Sequence, residues 1–438
     1  MPAGIRFPCL SQWLDWQESL HPRLIDLGLE RATRVLERTG WRRPRCPVIT
    51  VGGTNGKGSC VALLASMMRA GGYRTGIFTS PHLIDYRERI RVNGEQVSEA
   101  SLIAAFERIA DALGEDSLTF FEFNALAALL VFETAVPEAI VLEVGMGGRL
   151  DAVNLVDADV AIVVSVGLDH MEWLGADVES IGREKAGILR RGRPAVVGTR
   201  AVPRAVFDCA RETGAELRLI GRDFDGQENR DGTWNYRDES GSLPRLPAPG
   251  LDGIVQIGNA ATAIAALRAL DARLPLARSA IERGLRDASL PGRFQRVPAA
   301  EGFEWVLDVA HNPDSARVLS GNLARFGVTG RTIAVCGMLA DKDVESVVEI
   351  LGNHVDAWIA SSTPGPRALD DAALCARAAA RGIAMQPGGS VAQALGRAAA
   401  MAARGDRILV FGSFHTVGPA LEYLRAAQAP GGESALCV

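Results

Sequence analysis

Residues 48–60 read VITVGGTNGKGSC, in which a short β-branched run leads into a glycine-rich turn that carries one lysine and one serine. The four glycines allow a tight turn whose backbone N–H groups can face an anion. The apolar spacing of the following VALLASMMRA predicts a helix, so the turn would lie at a helix N-terminus, where unpaired N–H groups and the dipole favour phosphate. We therefore interpret this segment as a phosphate-binding loop, in which Lys57 compensates phosphate charge and Ser59 offers a hydroxyl to Mg²⁺.

The sequence of this loop departs from the usual phosphate-binding pattern, in which Ser or Thr directly follows Lys. Here Gly58 stands between Lys57 and Ser59. An ordinary glycine turn between a strand and a helix is the alternative. A Gly-Lys-Gly-Ser run directly after a strand is much rarer than a lone glycine pattern, and we favour phosphate binding for that reason.

Other polar residues follow apolar runs that resemble buried strands. Glu143 closes the run AIVLEV, His170 follows the run VAIVVSV, and Ser80 follows the run TGIF. Ligands of open parallel sheets bind at the carboxyl ends of the strands, so these three side chains could form a mixed oxygen and nitrogen site for Mg²⁺ bound to nucleotide phosphates. Taken singly, each has a simpler alternative: a glutamate solvated at the rim of a sheet, or an Asp-His pair that only satisfies a hydrogen bond.

Two more candidates have equally plain alternatives. Lys185, in REKAGILR, lies on a predicted short helix, and from the sequence alone it would be a solvated surface lysine. Asp308, His311 and Asn312, in LDVAHNPDS, end the run EWVLDVA, which we expect to be the first strand of a second domain. An Asn-Pro helix cap is the alternative for this group.

The strands that would position these residues are continuous apolar runs, in which polar and apolar residues do not alternate. Such runs are typical of a parallel sheet covered by helices on both faces. A chain of 438 residues also exceeds one ordinary core. We expect a doubly wound α/β domain at 1–290, with a polar β-hairpin at about 220–250 and a helix at 258–271. The Pro-Gly pair at 291–292 would begin a second, smaller α/β domain at 291–438.

Composition excludes several classes of protein. A hydrophobic share of 47% with 23% charged residues is typical of a globular chain. The net charge of −5 argues against a nucleic-acid-binding surface. Seven cysteines without CxxC pairs fit a reducing cytoplasm, and neither a secretory leader nor a membrane span is predicted.

Taken together, these motifs resemble the folylpolyglutamate synthase and dihydrofolate synthase family of the Mur ligase superfamily. The resemblance extends over nearly the whole chain and rests on DLGLER at 26–31, GTNGKGS at 53–59, TFFEF at 119–123, LEVGMGGRLDAVN at 142–154, REKAGI at 183–188, DVAHNP at 308–313 and GSFHTVG at 412–418.

The resemblance implies roles for individual residues. The predicted ATP-binding residues are Gly56, Lys57, Gly58, Ser59, Asn259, Arg293 and Asp308. The predicted magnesium ligands are Ser80, Glu143 and His170, and the catalytic residues are Lys57, Lys185 and His311, with Lys185 carbamylated. The predicted substrate-binding residues are Asp26, Leu27, Gly28, Thr119, Phe120, Phe121, Glu122, Leu150, Asp151 and Ala152.

The implied activity is an ATP- and Mg²⁺-dependent ligase that adds L-glutamate to 7,8-dihydropteroate and to reduced folates through an acyl phosphate. The alternatives are an enzyme that only extends folates, a muramyl-peptide ligase, and a nucleotide switch without bond-forming activity. The DLGLER and TFFEF segments argue against the second, and DVAHNP and GSFHTVG would have no role in a switch. We expect a cytoplasmic monomer whose partners are small molecules, with no nucleic acid or membrane among them.

Overall fold

The computed structural model of the chain describes residues 5–365 and 367–428. These residues fold into two compact units. The first contains residues 5–82, 86–250 and 257–288, and the second contains residues 83–85, 251–256, 289–365 and 367–428. Compact packing does not define an independently folding domain, so the domain bounds 1–290 and 291–438 stay a prediction.

The first unit is built on a mostly parallel sheet. Its helices are α1 (Leu10–Ser19), α2 (Glu30–Arg38), α3 (Lys57–Ala70), α4 (Glu99–Ala112), α5 (Phe120–Ala135), α6 (Met171–Leu174), α7 (Val178–Ala186), α8 (Arg204–Thr213), α9 (Gln256–Arg268) and α10 (Arg278–Asp287). Its strands are β1 (Val48–Gly52), β2 (Thr75–Phe78), β3 (Ile90–Val92), β4 (Glu95–Gln96), β5 (Ala139–Glu143), β6 (Val160–Val163), β7 (Pro194–Val197), β8 (Glu216–Leu219), β9 (Phe224–Glu228), β10 (Trp234–Asp238) and β11 (Gly241–Leu246).

The strand order of the main sheet decides which loops meet. The order is β4-β3-β2-β5-β1-β6-β7-β8, with parallel pairing from β2 through β8 and antiparallel pairing at the β2-β3-β4 edge. In register, Val51 on β1 pairs with Glu143 on β5, and Gly52 pairs with Val163 on β6. The loops that follow β2, β5, β1 and β6 therefore leave the same edge of the sheet side by side.

Burial explains the apolar runs seen in the sequence. Every residue of β1, β5 and β6 is buried, because helices leave neither face of these central strands in water. Helix α5 is buried along most of its length, and Phe123, Leu126 and Leu130 belong to the main core. The predicted α/β class with a parallel sheet is confirmed.

Two local predictions in the first unit need correction. Residues 224–246 form a separate three-stranded antiparallel sheet, β11-β10-β9, rather than a hairpin. The helix expected at 258–271 spans Gln256–Arg268.

The second unit has its own sheet. Its helices are α11 (Pro313–Arg325), α12 (Val344–Leu351), α13 (Asp371–Ala379), α14 (Val391–Met401) and α15 (Phe414–Gln428). Its strands are β12 (Gln295–Pro298), β13 (Glu304–Asp308), β14 (Thr332–Cys336), β15 (Ala357–Ser362), β16 (Met385–Ser390) and β17 (Arg407–Phe411), in the order β12-β13-β17-β14-β15-β16.

Only the pairing of β12 with β13 is antiparallel among the described strands of this second sheet. Successive residues of β13 enter separate cores, Val306 on one face and Leu307 on the other, as the period of a strand requires. The run EWVLDVA was expected to form the first strand of this unit. It forms the second, because residues 295–298 add an edge strand before it.

No helix within the described ranges combines the length and the apolar character that crossing a bilayer requires. The cysteines at positions 9, 46, 60, 209, 336 and 375 are free thiols.

Candidate active site

The glycine-rich loop lies between β1 and α3, where the sequence predicts it. Gly56 is the N-cap residue of α3 and has a left-handed backbone, with φ of +84°. A Cβ atom at this position would lie 2.9 Å from Val164 Cγ1 and 3.2 Å from Asn259 Oδ1. Both the backbone conformation and the lack of space therefore require glycine here, and the same close approach places Asn259 of α9 beside the loop.

The loop is held in shape by bonds to the segment after β6 and by its own lysine. Thr54 N donates to Ser165 O at 2.9 Å, and Asn55 N donates to Ser165 Oγ at 2.9 Å. Lys57 Nζ donates to Gly53 O at 3.0 Å and to Thr54 O at 3.3 Å. The amine of Lys57 thus lies over the turn, where it can neutralise an anion bound at the N-terminus of α3.

The predicted metal ligands lie on strand ends at the same edge of the sheet. Ser80 follows β2, Glu143 ends β5, and the Ser80 amide donates to Glu143 Oε2 at 3.3 Å. His170 follows β6 and has a left-handed backbone, with φ of +51°. Ser80 and Glu143 are therefore in direct contact, and His170 belongs to the loop on the other side of β1.

The side chains of Ser80 and Glu143 offer oxygen donors that fit a hard cation, which would keep water or phosphate oxygens as its other ligands. Within residues 5–365 and 367–428, no three or more His, Cys, Asp and Glu side chains are grouped as a metal site. Mg²⁺ is commonly bound by one or two carboxylates together with water and substrate phosphates. The pair of Ser80 and Glu143 beside a phosphate-binding loop has this character, and it does not resemble a closed zinc site.

Lys185 is buried in α7 with 4% of its surface exposed, so its interpretation as a solvated surface lysine is wrong. Burial, and then the positive charge of Lys57, lower the pKa of Lys185 to about 7, while Asp169 and Asp151 oppose the shift. A lysine with a pKa near 7 has a substantial neutral fraction at neutral pH, and its neutral amine can combine with carbon dioxide to form a carbamate.

Asp151 anchors the loop that follows β5. Its Oδ2 accepts from Met146 N at 2.9 Å and its Oδ1 accepts from Val153 N at 3.1 Å. Burial raises the pKa of Asp151 to about 7, although these bonds and the charge of Lys57 act in the opposite direction. Its neighbour Ala152 is buried and Leu150 is partly exposed.

The stretch from Thr119 to Glu122 has a structural role that the sequence analysis did not assign. Thr119 N donates to Glu122 Oε2 at 2.8 Å, and Glu122 N donates to Thr119 Oγ1 at 3.3 Å, which makes a capping box for α5. Phe120 and Phe121 between them are partly exposed. A Cβ atom at Gly145 would lie 2.5 Å from Phe121 Cε2, so this glycine makes room for the ring.

The loop of Asp26, Leu27 and Gly28 precedes α2, whose N-cap residue is Leu29. Asp26 is paired with Arg31, and its Oδ2 lies 3.2 Å from His21 Nε2. Arg31 Nε also donates to Glu122 Oε2 at 3.0 Å, so this arginine joins the Asp26 loop to the start of α5. Desolvation acts to raise the pKa of Asp26, but Arg31 and His21 hold it below the ordinary value. The sequence analysis missed Arg31, although it ends the DLGLER motif.

The second unit brings Arg293, Asp308 and His311 together. Asp308 accepts from Phe294 N at 2.9 Å and from Ala310 N at 2.8 Å. Burial raises the pKa of Asp308, while the charges of Arg293 and His311 act to lower it. The Nδ1 of His311 lies 2.8 Å from the carbonyl oxygen of Val309, which can only accept, so Nδ1 carries the hydrogen of this bond.

The alternative of a helix cap is correct for one member of the DVAHNP motif. Asn312 caps α11 through Ser315 N at 2.9 Å, and Pro313 is the first residue of that helix. His311 N also donates to Ser315 Oγ of this cap at 3.1 Å, whereas Asp308 accepts from Phe294 N and Ala310 N.

Two family models match the chain. Residues 51–202 match the Mur ligase middle domain, and residues 292–414 match the Mur ligase glutamate ligase domain. The glycine-rich loop lies in the first match and the DVAHNP motif in the second. The fold and the site thus define a Mur ligase.

Comparison with individual relatives shows to which family within the Mur ligases the chain is similar. The chain is 44% identical over 422 residues to the dihydrofolate synthase/folylpolyglutamate synthase of Escherichia coli K12, covering 96% of this chain and 97% of that protein. The structure of E. coli FolC in complex with DHPP and ADP superposes with a TM-score of 0.91 at 43% identity, covering 96% of this chain and 99% of the other. A bifunctional folylpolyglutamate synthase/dihydrofolate synthase with Mn, AMPPNP and L-glutamate bound gives a TM-score of 0.89 at 40% identity, with coverages of 97% and 100%. The chain belongs to the dihydrofolate synthase/folylpolyglutamate synthase family.

Proposed function

We propose that the chain is an ATP-dependent ligase that adds L-glutamate to 7,8-dihydropteroate and to reduced folates. One observation carries the proposal. The glycine-rich loop with Lys57 leaves the sheet between the strand ends that carry Glu143 and His170, and the buried Lys185 is close enough for the charge of Lys57 to act on it. A phosphate cradle, oxygen donors for a cation and a buried amine thus share one edge of the first unit. Relatives that bind ADP, DHPP, L-glutamate and Mn support the same conclusion.

The first step would activate a carboxylate. One carboxylate oxygen of the acid substrate attacks the γ-phosphorus of ATP, the bond from that phosphorus to the bridging oxygen breaks, and ADP leaves with the electron pair. The product is an acyl phosphate. Lys57 and the N-terminus of α3 would stabilise the charge on the transferring phosphoryl group.

The second step would form the amide. The neutral amine of L-glutamate attacks the carbonyl carbon of the acyl phosphate, and the carbon–oxygen bond to phosphate breaks. Phosphate leaves with the electron pair and takes up the proton that the amine loses. Bound Mg²⁺ would supply positive charge at the phosphate oxygens, held by Ser80, Glu143 and His170. Most of the acceleration would come from placing the reactants together.

The remaining residues receive more limited roles. We propose that Gly56, Gly58, Ser59 and Asn259 bind the nucleotide, since they form or flank the loop. We propose that a pterin contacts the partly exposed rings of Phe120 and Phe121, near the loop anchored by Asp151. Asp26, Leu27, Gly28, Leu150 and Ala152 would line the same pocket, and Thr119 and Glu122 would shape it as the cap of α5. The nucleotide roles of Arg293 and Asp308 and the catalytic role of His311 stay predictions from the resemblance.

The proposed acyl phosphate route can be tested by tracing a carboxylate oxygen atom of the substrate. Dihydropteroate labelled with ¹⁸O in its carboxylate is incubated with protein, ATP, Mg²⁺ and L-glutamate, and the released phosphate is analysed by mass spectrometry. The acyl phosphate route transfers one ¹⁸O atom to phosphate for each amide formed. Release of ADP without L-glutamate-dependent amide formation would instead identify a nucleotide hydrolase or switch.

We propose that the enzyme acts as a monomer on small molecules in the cytoplasm. The free thiols of the described cysteines are consistent with a reducing compartment. Sedimentation of the purified protein at micromolar concentration tests the oligomeric state.

A further inference from the structure

Arg89 is a buried cation that the reaction described above does not use. It directly precedes β3 of the main sheet, and 8% of its surface is exposed. Its Nε donates to His82 Nδ1 at 2.8 Å, which is a neutral acceptor. Its guanidinium carbon lies 5.3 Å from the ring centroid of Phe120 and 5.9 Å from that of Tyr86.

The charge of Arg89 is not matched by a carboxylate. Among the described residues, Arg89 forms no ion pair, and its Nη1 and Nη2 atoms donate no hydrogen bond. The negative charges that act on it from a distance are Glu143 and Glu88. Desolvation dominates over them and lowers the pKa of Arg89, as expected for a cation buried without a partner.

The position of Arg89 connects it to the candidate active site. Its carbonyl oxygen accepts from Thr79 N at 2.9 Å, and Thr79 directly precedes Ser80, whose amide donates to Glu143. Phe120, which lies beside the guanidinium, belongs to the stretch proposed to contact the pterin. Arg89 thus stands between the residues proposed for the metal and an aromatic ring proposed for the substrate.

We propose that Arg89 binds the reacting carboxylate of the acid substrate and holds it for phosphorylation. The inference rests on the proposed function, because it takes the substrate to be a pterin with an aromatic carboxylate. The planar guanidinium offers its four remaining N–H groups, and two of them can bind one carboxylate side by side. Neutralising the carboxylate also reduces its repulsion from the polyphosphate it must attack.

The alternative is that Arg89 only supports the pocket, by stacking on Phe120 and bonding to His82. The two accounts differ in whether Arg89 senses the charge of the ligand. Binding of pteroate and of its carboxamide, which lacks the charge, therefore separates them. Both ligands are measured by equilibrium dialysis against the full-length protein with Mg²⁺ and AMPPNP.

We expect Arg89→Met to weaken pteroate binding by roughly 10- to 100-fold, as for a lost charged hydrogen bond, and to leave carboxamide binding nearly unchanged. Arg89→Lys, which keeps the charge but not the planar fork, should recover part of the loss. Arg91→Met is the matched control, because it removes a partly exposed cation two residues further along the chain, on β3, and should not affect either ligand.

Equal weakening of both ligands by Arg89→Met would overturn the proposal, and so would normal pteroate binding. If Arg89→Met does not fold, the wild-type protein alone can still test the proposal. The proposal is overturned if wild-type protein binds pteroate no more tightly than the carboxamide. The measurement needs no turnover. A protein that distinguishes pteroate through Arg89 but forms no amide would contradict the proposed function and leave this inference standing.

Discussion

Lys185 is buried close enough to Lys57 for one amine to act on the other, and burial followed by the charge of Lys57 lowers the pKa of Lys185 to about 7. Two lysines within electrostatic reach would be an unfavourable pair if both were protonated. Loss of the proton from the buried amine relieves the repulsion, and carbamylation would go further by making Lys185 an anion. This relationship explains why a lysine without a sequence-level signal is a candidate for catalysis.

The first prediction concerns the modification itself. We expect native protein to carry a carbamate on Lys185, detectable by ¹³C NMR after equilibration with ¹³C-labelled bicarbonate. Lys185→Ala should lose activity and recover part of it when short carboxylates such as acetate are added, because they restore a negative charge. Activity of Lys185→Ala equal to that of wild type would contradict the prediction.

The second prediction concerns stability and pH in carbon dioxide-free buffer. The folded-state pKa of Lys185, about 7, lies below its ordinary value of 10.5, so between these values the unfolded chain binds more protons than the folded chain. The free energy of unfolding should therefore gain a favourable contribution as pH rises from about 7 to 10.5. Lys185→Met lacks this contribution. Urea unfolding of both proteins at pH 7 and pH 9 measures it, and an unchanged difference between them would count against a shifted pKa.

The third prediction separates catalysis from folding at the loop. Lys57→Ala should lower turnover by about a thousandfold, corresponding to several kcal/mol of transition-state stabilisation. Its melting temperature should stay close to that of wild type, because the bonds of the amine to Gly53 O and Thr54 O are local to the turn and do not belong to the core. Near-normal ADP release from the folded variant would remove Lys57 from the mechanism.

The fourth prediction concerns the Asp26 loop. Asp26→Ala should damage the use of dihydropteroate more than the use of tetrahydrofolate, because the loss of a hydrogen-bonding partner costs about 1 to 3 kcal/mol. The substitution also releases Arg31, so a control for a lost arginine pair is needed. Asp116→Ala provides it, since Asp116 pairs with Arg34 and Arg38. Specificity constants for both substrates should fall unequally only in Asp26→Ala, and an equal fall would assign Asp26 to stability.

Much of the fold could be predicted from the sequence because its signals are local. The β-branched runs of β1, β5 and β6 identify buried parallel strands, and the glycines before Lys57 identify a turn with special backbone angles. The edge strands of the second sheet were harder to predict from the sequence. β12 and β16 have partly exposed, polar sequences that lack a strand period, so neither was predicted.

The site could be predicted only in part, because burial and charge coupling depend on packing between distant segments. Nothing in the sequence of α7 distinguishes buried Lys185 from a surface lysine, and only the resemblance pointed to it. No sequence motif pointed to Arg89, because what distinguishes this arginine is that no described carboxylate forms an ion pair with it. Thr119 and Glu122 were assigned to substrate, but the Thr-x-x-Glu spacing is also a capping box, which the structure contains.

The most direct test of the account uses one protein preparation and two acids. Purified protein is incubated with ATP, Mg²⁺, L-glutamate and either 7,8-dihydropteroate or tetrahydrofolate, and glutamate addition is followed by mass spectrometry. The account predicts amide formation with both acids and loss of both activities in Lys57→Ala. Turnover of tetrahydrofolate without any turnover of dihydropteroate would contradict the claim of two activities at one centre.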